Sequence, residues 1–372
     1  MSAPMQIVPL YEHHIQGAIE FLKKHYGEQY YGANETYFNW LYVRSACGWF
    51  EPLRLDGRIP ANGVLGSEGE LLALHTYLPF DGVLHGSSFK GLFDEEWING
   101  SNIRGVGRAL ATVLLGETEL YAGLGCNELS EAAFKKLGFD FQLEVPRLVA
   151  VLDQKALSEL ISRTDQGAHA VFDEVVCDAA WHELPDADSL PDEIFGDYRK
   201  SQTFAVDRSV GWCAWRYDGH PFIEYRYISS SKDGNEGVAV VRLEKILGTK
   251  YQNARVVDLL GDVANCGRMF AAAVSFAQST ECLIADFTTT SPAFAARLAA
   301  RSLEAGVSVI RNPRIPYMFQ PCAFGAATNV NMVLAGEILN IVGAPPDFHA
   351  TKADSTQDIL RNLESGPKLR TR

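Results

Sequence analysis

The seven cysteines of this 372-residue chain (Cys47, Cys126, Cys177, Cys213, Cys266, Cys282 and Cys322) are scattered, and no two form a C-x-x-C pair. Odd in number and without close spacing, they argue against a disulfide framework or a zinc site and fit reduced thiols in a cytoplasm. No stretch approaches the roughly 20 apolar residues that cross a bilayer. Met1 to Leu10 has no basic region leading into a hydrophobic one, so no secretory leader and no membrane partner are expected. Positive charge is in deficit, with 33 Lys and Arg against 46 Asp and Glu and a formal net charge of -13. A field of that sign repels polyanions, so no nucleic-acid partner is expected, although backbone amides and a few arginines can still hold one phosphorylated ligand locally. Hydrophobic residues at 47% and charged residues at 21% are ordinary for a soluble globular protein, and the length allows two cores.

Ile15, Ile19, Phe21 and Leu22 at helical spacing predict a helix over 15–26 stopped by Gly27, and Asn34 is placed to cap a short helix through Phe38, Trp40 and Leu41. Strand character follows at 70–79 and 87–97, with Asp81-Gly82 as the turn between them. A helix starting at Gly105 or Val106, a strand over 120–124, a helix over 130–137 stopped by Gly138 and a strand over 139–152 complete this half. The stretch 165–192, rich in Asp and Ala with Pro185 and Pro191, reads as a passage. Beyond it the order recurs: strands over 237–244 and 255–260, a helix over 267–278, a strand over 282–287 and a helix over 291–304. Trp212-Cys213-Ala214-Trp215-Arg216-Tyr217 also echoes Tyr37-Phe38-Asn39-Trp40-Leu41-Tyr42. An α/β (α+β) protein of two units, 1–165 and 190–345, with a C-terminal helix and tail over 346–372, is the expected organisation.

Chemistry concentrates between Ile98 and Leu115. A strand ends near Asn99, the chain turns through Gly100-Ser101-Asn102, and a helix begins with unpartnered amides at the positive end of its dipole. Glycines let backbone approach a ligand there, and Arg104 and Arg108 add charge, which suits a pyrophosphate. A tight packing turn is the plainer reading. However, Arg104-Gly105-Val106-Gly107-Arg108-Ala109 resembles the Arg/Gln-x-x-Gly-x-Gly/Ala motif of the GNAT superfamily of N-acetyltransferases, with Arg104, Gly107 and Ala109 at its fixed positions. Asn127, Ser130, Phe134, Gly138 and Phe139 resemble that family's next motif.

The resemblance implies two domains, each a twisted, mixed, mostly antiparallel sheet flanked by helices and splayed near its middle. Acyl-coenzyme A would enter the opening as co-substrate, its pyrophosphate on the amides of Arg104 to Ala109 and its pantetheine along 93–98, including Trp97 and Ile98. Asn127 and Phe134 would lie on the coenzyme side. An amine would attack the thioester directly, without a metal. Family members often carry a thiolate-protonating tyrosine where this chain has Phe134, so that phenol cannot be carried over.

Candidates for the base that deprotonates the amine are His75, His85, Asp94, Glu95 and Glu96. A lone strand histidine such as His75 often serves packing instead. Strict alternation on the expected central strand puts Asp94 and Glu96 on one face and Glu95 on the other. Water as base is the alternative, and Cys126 reads as a buried thiol.

The second half lacks the coenzyme signature, since Val263-Ala264-Asn265-Cys266-Gly267 stands where it would fall, and it is expected to supply the acceptor pocket. Trp212, Trp215, Arg216, Tyr217, His220, Phe222 and Tyr225 gather aromatics around a cation, suited to stacking a base or sugar, and Arg311 and Arg314 suit a diphosphate. The plain alternative is aromatics in a core and solvated arginines. The layout resembles the tandem-domain sugar N-acyltransferases of bacterial surface-polysaccharide synthesis, which acylate nucleotide-linked amino sugars such as a dTDP-amino-dideoxyhexose. It implies such a sugar as acceptor, in a monomer or homodimer. An amino acid, antibiotic or protein amine, or a non-catalytic acyl-coenzyme A-binding module, are the competing expectations.

Overall fold

A computed structural model describes residues 6–101, 103–126, 128–142, 144–162, 173–246, 249–313, 330–342 and 346–355. Strand β1 (Ile7–Tyr11) leads to α1 (Ile15–Tyr26), which buries Ala18, Ile19, Phe21 and Leu22 and ends at Gly27 with φ 100°. Asn34 accepts the Tyr37 amide at 3.1 Å and opens α2 (Glu35–Phe38), which widens into a π-helical turn, Asn39–Val43. After α3 (Glu51–Leu55) come β2 (Arg58–Leu65), β3 (Leu71–Leu84) and β4 (Ser87–Asn99).

The turn expected at Asp81-Gly82 is instead mid-strand: Asp81 pairs with Lys90 and Gly82 with Phe89. A Cβ on Gly82 would lie 2.0 Å from the Phe89 ring, and the Asp81 carboxylate takes the Gly48 and Trp49 amides at 2.5 and 3.2 Å, so both residues serve cross-sheet contacts. The hairpin turns at His85-Gly86, where φ is 48° and 83°, the two positive values of a tight two-residue loop.

Helix α4 (Val106–Glu117), β5 (Leu120–Leu124) and α5 (Glu128–Lys136) follow. The strand expected over 139–152 is two, β6 (Asp140–Gln142) and β7 (Arg147–Val151), and they join different sheets. Then come α6 (Gln154–Ser162), β8 (His182–Leu184), α7 (Asp192–Ser201), β9 (Phe204–Val206) and α8 (Val210–Cys213), which also widens into a π-helical turn, Ala214–Asp218. The remaining elements are β10 (Arg226–Ser229), β11 (Val238–Lys245), β12 (Gln252–Leu260), α9 (Cys266–Ser279), β13 (Ile284–Thr288), α10 (Pro292–Glu304), β14 (Ile310–Arg311) and β15 (Met332–Ala335).

Among the described residues these strands form an eight-stranded sheet, β1-β2-β3-β4-β5-β15-β6 with β9 on β3, and a seven-stranded sheet, β14-β7-β13-β12-β11-β10-β8. The halves exchange a strand. β7 follows β6 in sequence but lies between β13 and β14, and β15 follows β14 but lies between β5 and β6. Sheet membership therefore does not follow the expected units 1–165 and 190–345. Of the expected helix and tail over 346–372, residues 346–355 form only a single 3-10 turn, Lys352–Asp354, and the rest lie outside the described residues.

The π-helical turns meet at the junction of the halves. Trp40 Nε1 donates to the Trp215 carbonyl and Trp215 Nε1 to the Trp40 carbonyl, both at 2.9 Å, and the rings stack with centroids 5.6 Å apart. A further link runs through residues 348–355. His349 pairs with β9, its N–H donating to Phe204 at 2.8 Å and its carbonyl accepting from Val206 at 3.1 Å. Next to it, the Ala350 carbonyl accepts the Thr290 amide at 2.9 Å and Thr351 bridges Thr289 beyond β13. Fully buried Arg208 pairs with Asp258 of β12 at 2.6 Å and with Asp354 at 2.8 Å. No described helix is long and apolar enough to cross a membrane.

Each half leaves β5 or β13 without its outer neighbour when the other half is missing. Residues 1–165 and 166–372 expressed separately should therefore lack cooperative unfolding, whereas the whole chain melts cooperatively. A sharp calorimetric transition from either piece alone would contradict the exchange.

Candidate active site

Strands β4 and β5 run parallel from Gly91↔Leu120 to Asp94↔Gly123 and then part. Glu95 to Asn99 keep β3 on one side and, among the described residues, have no strand on the other. At the parting point β3 and β4 slip: His75 pairs with Trp97 but Tyr77 with Asp94, so Glu95 and Glu96 together oppose Thr76. This bulge breaks alternation. The expected sharing of a face by Asp94 and Glu96 is overturned: Asp94 joins His75 and Trp97 on one face, while Glu96 turns to the other, toward Tyr30.

On the first face His75 Nε2 lies 2.5 Å from Asp94 Oδ1, and the Tyr121 hydroxyl donates to the same oxygen at 2.6 Å. His75 is fully buried and stacks on Trp97 at 5.5 Å. Phe134 is fully buried as well, between Trp97 (5.2 Å), Tyr121 (6.0 Å) and Phe139 (4.7 Å). Tyr121 escaped the sequence reading because a tyrosine in an apolar strand carries no signal of its own; only the pairing with β4 brings it to Asp94. Burial, with the charges of Asp94 and Glu131, pushes the Cys126 thiol up to about 12, so it stays protonated at neutral pH and is a poor nucleophile.

The second face carries tyrosines from α1 to the first π-helical turn. The Tyr30 hydroxyl donates to Glu96 Oε1, and the Glu96 amide donates to Thr76 Oγ1 at 3.0 Å, beside Tyr42. Burial pushes the Glu96 carboxyl up to about 7, against a Tyr26 hydrogen bond that favours its charged form. Burial, then the charge of Glu95, raises the Tyr42 phenol well above its ordinary value, which puts Glu95 on this face too. Tyr30 and Tyr31 also line a cavity of about 260 Å³ with Lys23, Glu28, Asn34 and Glu35.

The helix expected from Gly105 or Val106 begins there. Gly105 takes φ 88° and α4 starts at Val106 with no side-chain cap; its first internal bond is Ala109 N–H to the Gly105 carbonyl at 3.0 Å. The amides of Val106, Gly107 and Arg108 thus precede the helical ladder, at the positive end of a 12-residue helix. Arg104 and Arg108 are exposed. Gly107 packs closely on Trp97: a Cβ there would come 3.0 Å from its Nε1. Ile98 is buried in the core on the α1 side. Asn127 lies outside the described residues.

In the second half, β12 leaves β13 after Val256↔Phe287, and its register with β11 slips between Val240 and Val241, as β4 slips on β3. Here a 3-10 turn, Val263–Asn265, precedes α9, and Asp262 caps it by accepting the Ala264 amide at 2.8 Å. Gly267 is a helix-packing glycine, its Cβ direction blocked by the Arg301 carbonyl at 2.2 Å. The expected acceptor residues are packed in the junction. Trp215 meets Trp40, Arg216 is fully buried, Tyr217 donates to Asp258 at 2.7 Å, and His220 packs on Trp40 at 4.2 Å. Arg311 is exposed on edge strand β14, and Arg314 lies outside the described residues.

No family model matches the chain, and no curated protein does. Solved structures do. A probable N-acyltransferase of unknown function from Enterococcus faecalis V583 aligns over 91% of this chain and 75% of its own at TM-score 0.56 and 9% identity. GCN5-related N-acetyltransferases from Kribbella flavida (91% and 73% covered, TM-score 0.55, 13% identity) and Anabaena variabilis ATCC 29413 (90% and 73%, 0.56, 10%) align similarly. At such identities the likeness is one of fold: two helix-flanked mixed sheets, without a closed barrel, in the arrangement of GCN5-related N-acetyltransferases.

Proposed function

We propose that this protein is an acyl-coenzyme A-dependent N-acyltransferase with its site where β4 parts from β5. The observation that carries the reading is Glu96, a carboxyl raised to about 7 at the bulge where β4 parts from β5, on the strand that leads to the uncapped start of α4. The pyrophosphate would rest on the amides of Val106 to Arg108, with Arg104 and Arg108 beside it. The pantetheine would pair with the open edge of β4 from Glu95 to Asn99 in the manner of an added strand.

The acceptor ammonium enters from the tyrosine-lined face and loses a proton to Glu96. Its nitrogen then attacks the thioester carbon, the carbon–sulfur bond breaks, and coenzyme A leaves as thiolate. Asp94, with His75 and Tyr121, lies on the other face of β4, behind the bulge. A base poised near neutrality is effective because it is unprotonated at working pH yet still basic enough to accept. This poise favours an enzyme over a non-catalytic binding module.

The acceptor implied by the sequence resemblance is a nucleotide-linked amino sugar. Packing of Tyr217 against Asp258 and of His220 against Trp40 removes an open stacking platform for its base and favours the second reading, an amine without a nucleotide. Thiol release from acetyl-coenzyme A with nucleotide amino sugars, amino acids, aminoglycosides and peptide amines separates the two; release with the sugar nucleotides alone restores the first.

Two variants test the machinery. Glu96→Gln should lower kcat/KM by about 10²- to 10³-fold, and the parent's kcat/KM should rise with pH through about 7. Since the folded Glu96 holds its proton more tightly than the unfolded chain does, its ionisation costs stability, a cost that grows from the ordinary value of 4.5 up to about 7. Glu96→Gln should therefore raise the Tm above pH 7 and leave it unchanged below 4.5. A variant with full activity and the parent's Tm profile would remove Glu96 as base. Arg104→Ala, at an exposed position, should leave the Tm alone and weaken coenzyme A binding by about 10- to 100-fold. Equal affinity in calorimetry would move the pyrophosphate elsewhere.

A further inference from the structure

Two buried polar groups at the junction of the halves lack the partners their burial demands. Arg216 is fully buried; Nη2 donates to the Ser355 carbonyl at 2.8 Å, and its guanidinium carbon lies 5.1 Å from the Trp40 ring. Nε and Nη1 have no hydrogen-bond partner among the described residues. The Tyr37 hydroxyl, on a side chain 3% exposed, likewise has none. Both pack on Trp40, the Tyr37 ring with its centroid 5.3 Å from that of the indole and the Arg216 guanidinium 5.1 Å from it; burial and Tyr31 push the Tyr37 phenol well above its ordinary value, the Arg216 charge opposes that rise, and Glu95 adds to it. Tyr37 thus feels a cation from the second half and a carboxylate of the candidate site.

Other buried cations of this fold meet carboxylates. Arg208 is matched by Asp258 and Asp354, and Asp286 takes Arg147 at 2.7 Å and Arg255 at 3.2 Å. A buried cation is tolerated where an anion answers it, and an unsatisfied buried group marks a place for a bound one.

We infer that Arg216 and the Tyr37 hydroxyl receive the carboxylate of the acceptor, and that the acceptor is a small amine bearing a carboxylate, as in an amino acid. The carboxylate binds Arg216 and Tyr37 while the amine lies toward Glu95 and Glu96, so cation and anion of the ligand each meet the opposite charge. A nucleotide diphosphate suits the place poorly, because it brings two or more negative charges to one arginine and faces two glutamates. The amine end rests on the acyltransferase reading; the anion site rests on Arg216 and Tyr37 alone. A free small anion such as acetate shares the chemistry, and the experiment separates it from the acceptor.

The full chain, loaded with coenzyme A, is titrated calorimetrically with amino acids, their carboxamides and acetate, in the parent, Tyr37→Phe and Arg216→Met forms. Amino acids should bind at least about 10-fold tighter than their carboxamides and than acetate, and Tyr37→Phe should weaken them by about 10-fold without changing coenzyme A affinity. Tyr37→Phe removes only an unpartnered hydroxyl, so a purely structural role predicts unchanged binding and an equal or higher Tm. If Arg216→Met does not fold, Tyr37→Phe decides. Carboxamides that bind as well as acids, acetate that binds as tightly as amino acids, no binding at all, or an unaffected Tyr37→Phe would each overturn the inference. Amino acids that bind through Tyr37 without being acylated would uphold the anion site and defeat the acyltransferase reading instead.

Discussion

Trp40 and Trp215 each donate an indole N–H to the other's carbonyl at 2.9 Å, and the rest of the molecule is arranged about that reciprocal contact. Both sit in π-helical turns that follow a capped single helical turn, with Asn34 and Ser209 as the caps. Equivalent residues touching each other place a pseudo-two-fold relation at the junction, and the strand exchange obeys it: β7 goes to the second sheet as β15 goes to the first. A half that lends a strand and borrows one is not an independent domain in the thermodynamic sense, because the edge it would expose alone is unpaired backbone of a central strand.

The two openings differ in ways that bear on the proposed coenzyme site. Both β4 and β12 leave their parallel neighbours and slip register just beyond. In the first half the opening leads to an uncapped helix start flanked by exposed Arg104 and Arg108. In the second, Asp262 caps the 3-10 turn that leads into α9, and residues 350–354 lie between Thr289 and Thr290 beyond β13 and Asp258 on β12, held through Arg208. The second opening is filled by the chain itself. That filling also ties the sheets together, since His349 pairs with β9 of the first sheet one residue before Ala350 meets Thr290.

Local determinants were legible in the sequence and distant ones were not. The 3.6-residue spacing of Ile15, Ile19 and Leu22 set α1, and Gly105 with Val106 set the start of α4, because caps and faces are written within a few residues. Asp81-Gly82 misled because the pair is a turn signal only when its groups are idle; here Asp81 is engaged by Gly48 and Trp49, and Gly82 by Phe89. The exchange pairs residues as distant in the chain as Arg147 and Thr288, or Tyr121 and Ala335, so no local pattern reports it. Arg216 was read as a contact for a sugar because its aromatic neighbours were visible, while Trp40, which buries it, belongs to the other half.

The bulge in β4 has the largest chemical consequence for its size. With strict alternation, Asp94 and Glu96 would share one face, and like charges so placed would compete for the same donors. One extra residue opposite Thr76 separates them. Asp94 is held by Tyr121, whose hydroxyl donates to it, and by His75. Glu96 is turned into the tyrosine layer, where burial lifts it to about 7. Two carboxylates two residues apart on one strand thus become chemically different because the backbone sends them into different surroundings. The distinction between a structural acid and a candidate base here is a property of register, which is why a string of Asp-Glu-Glu could identify the group and not the member.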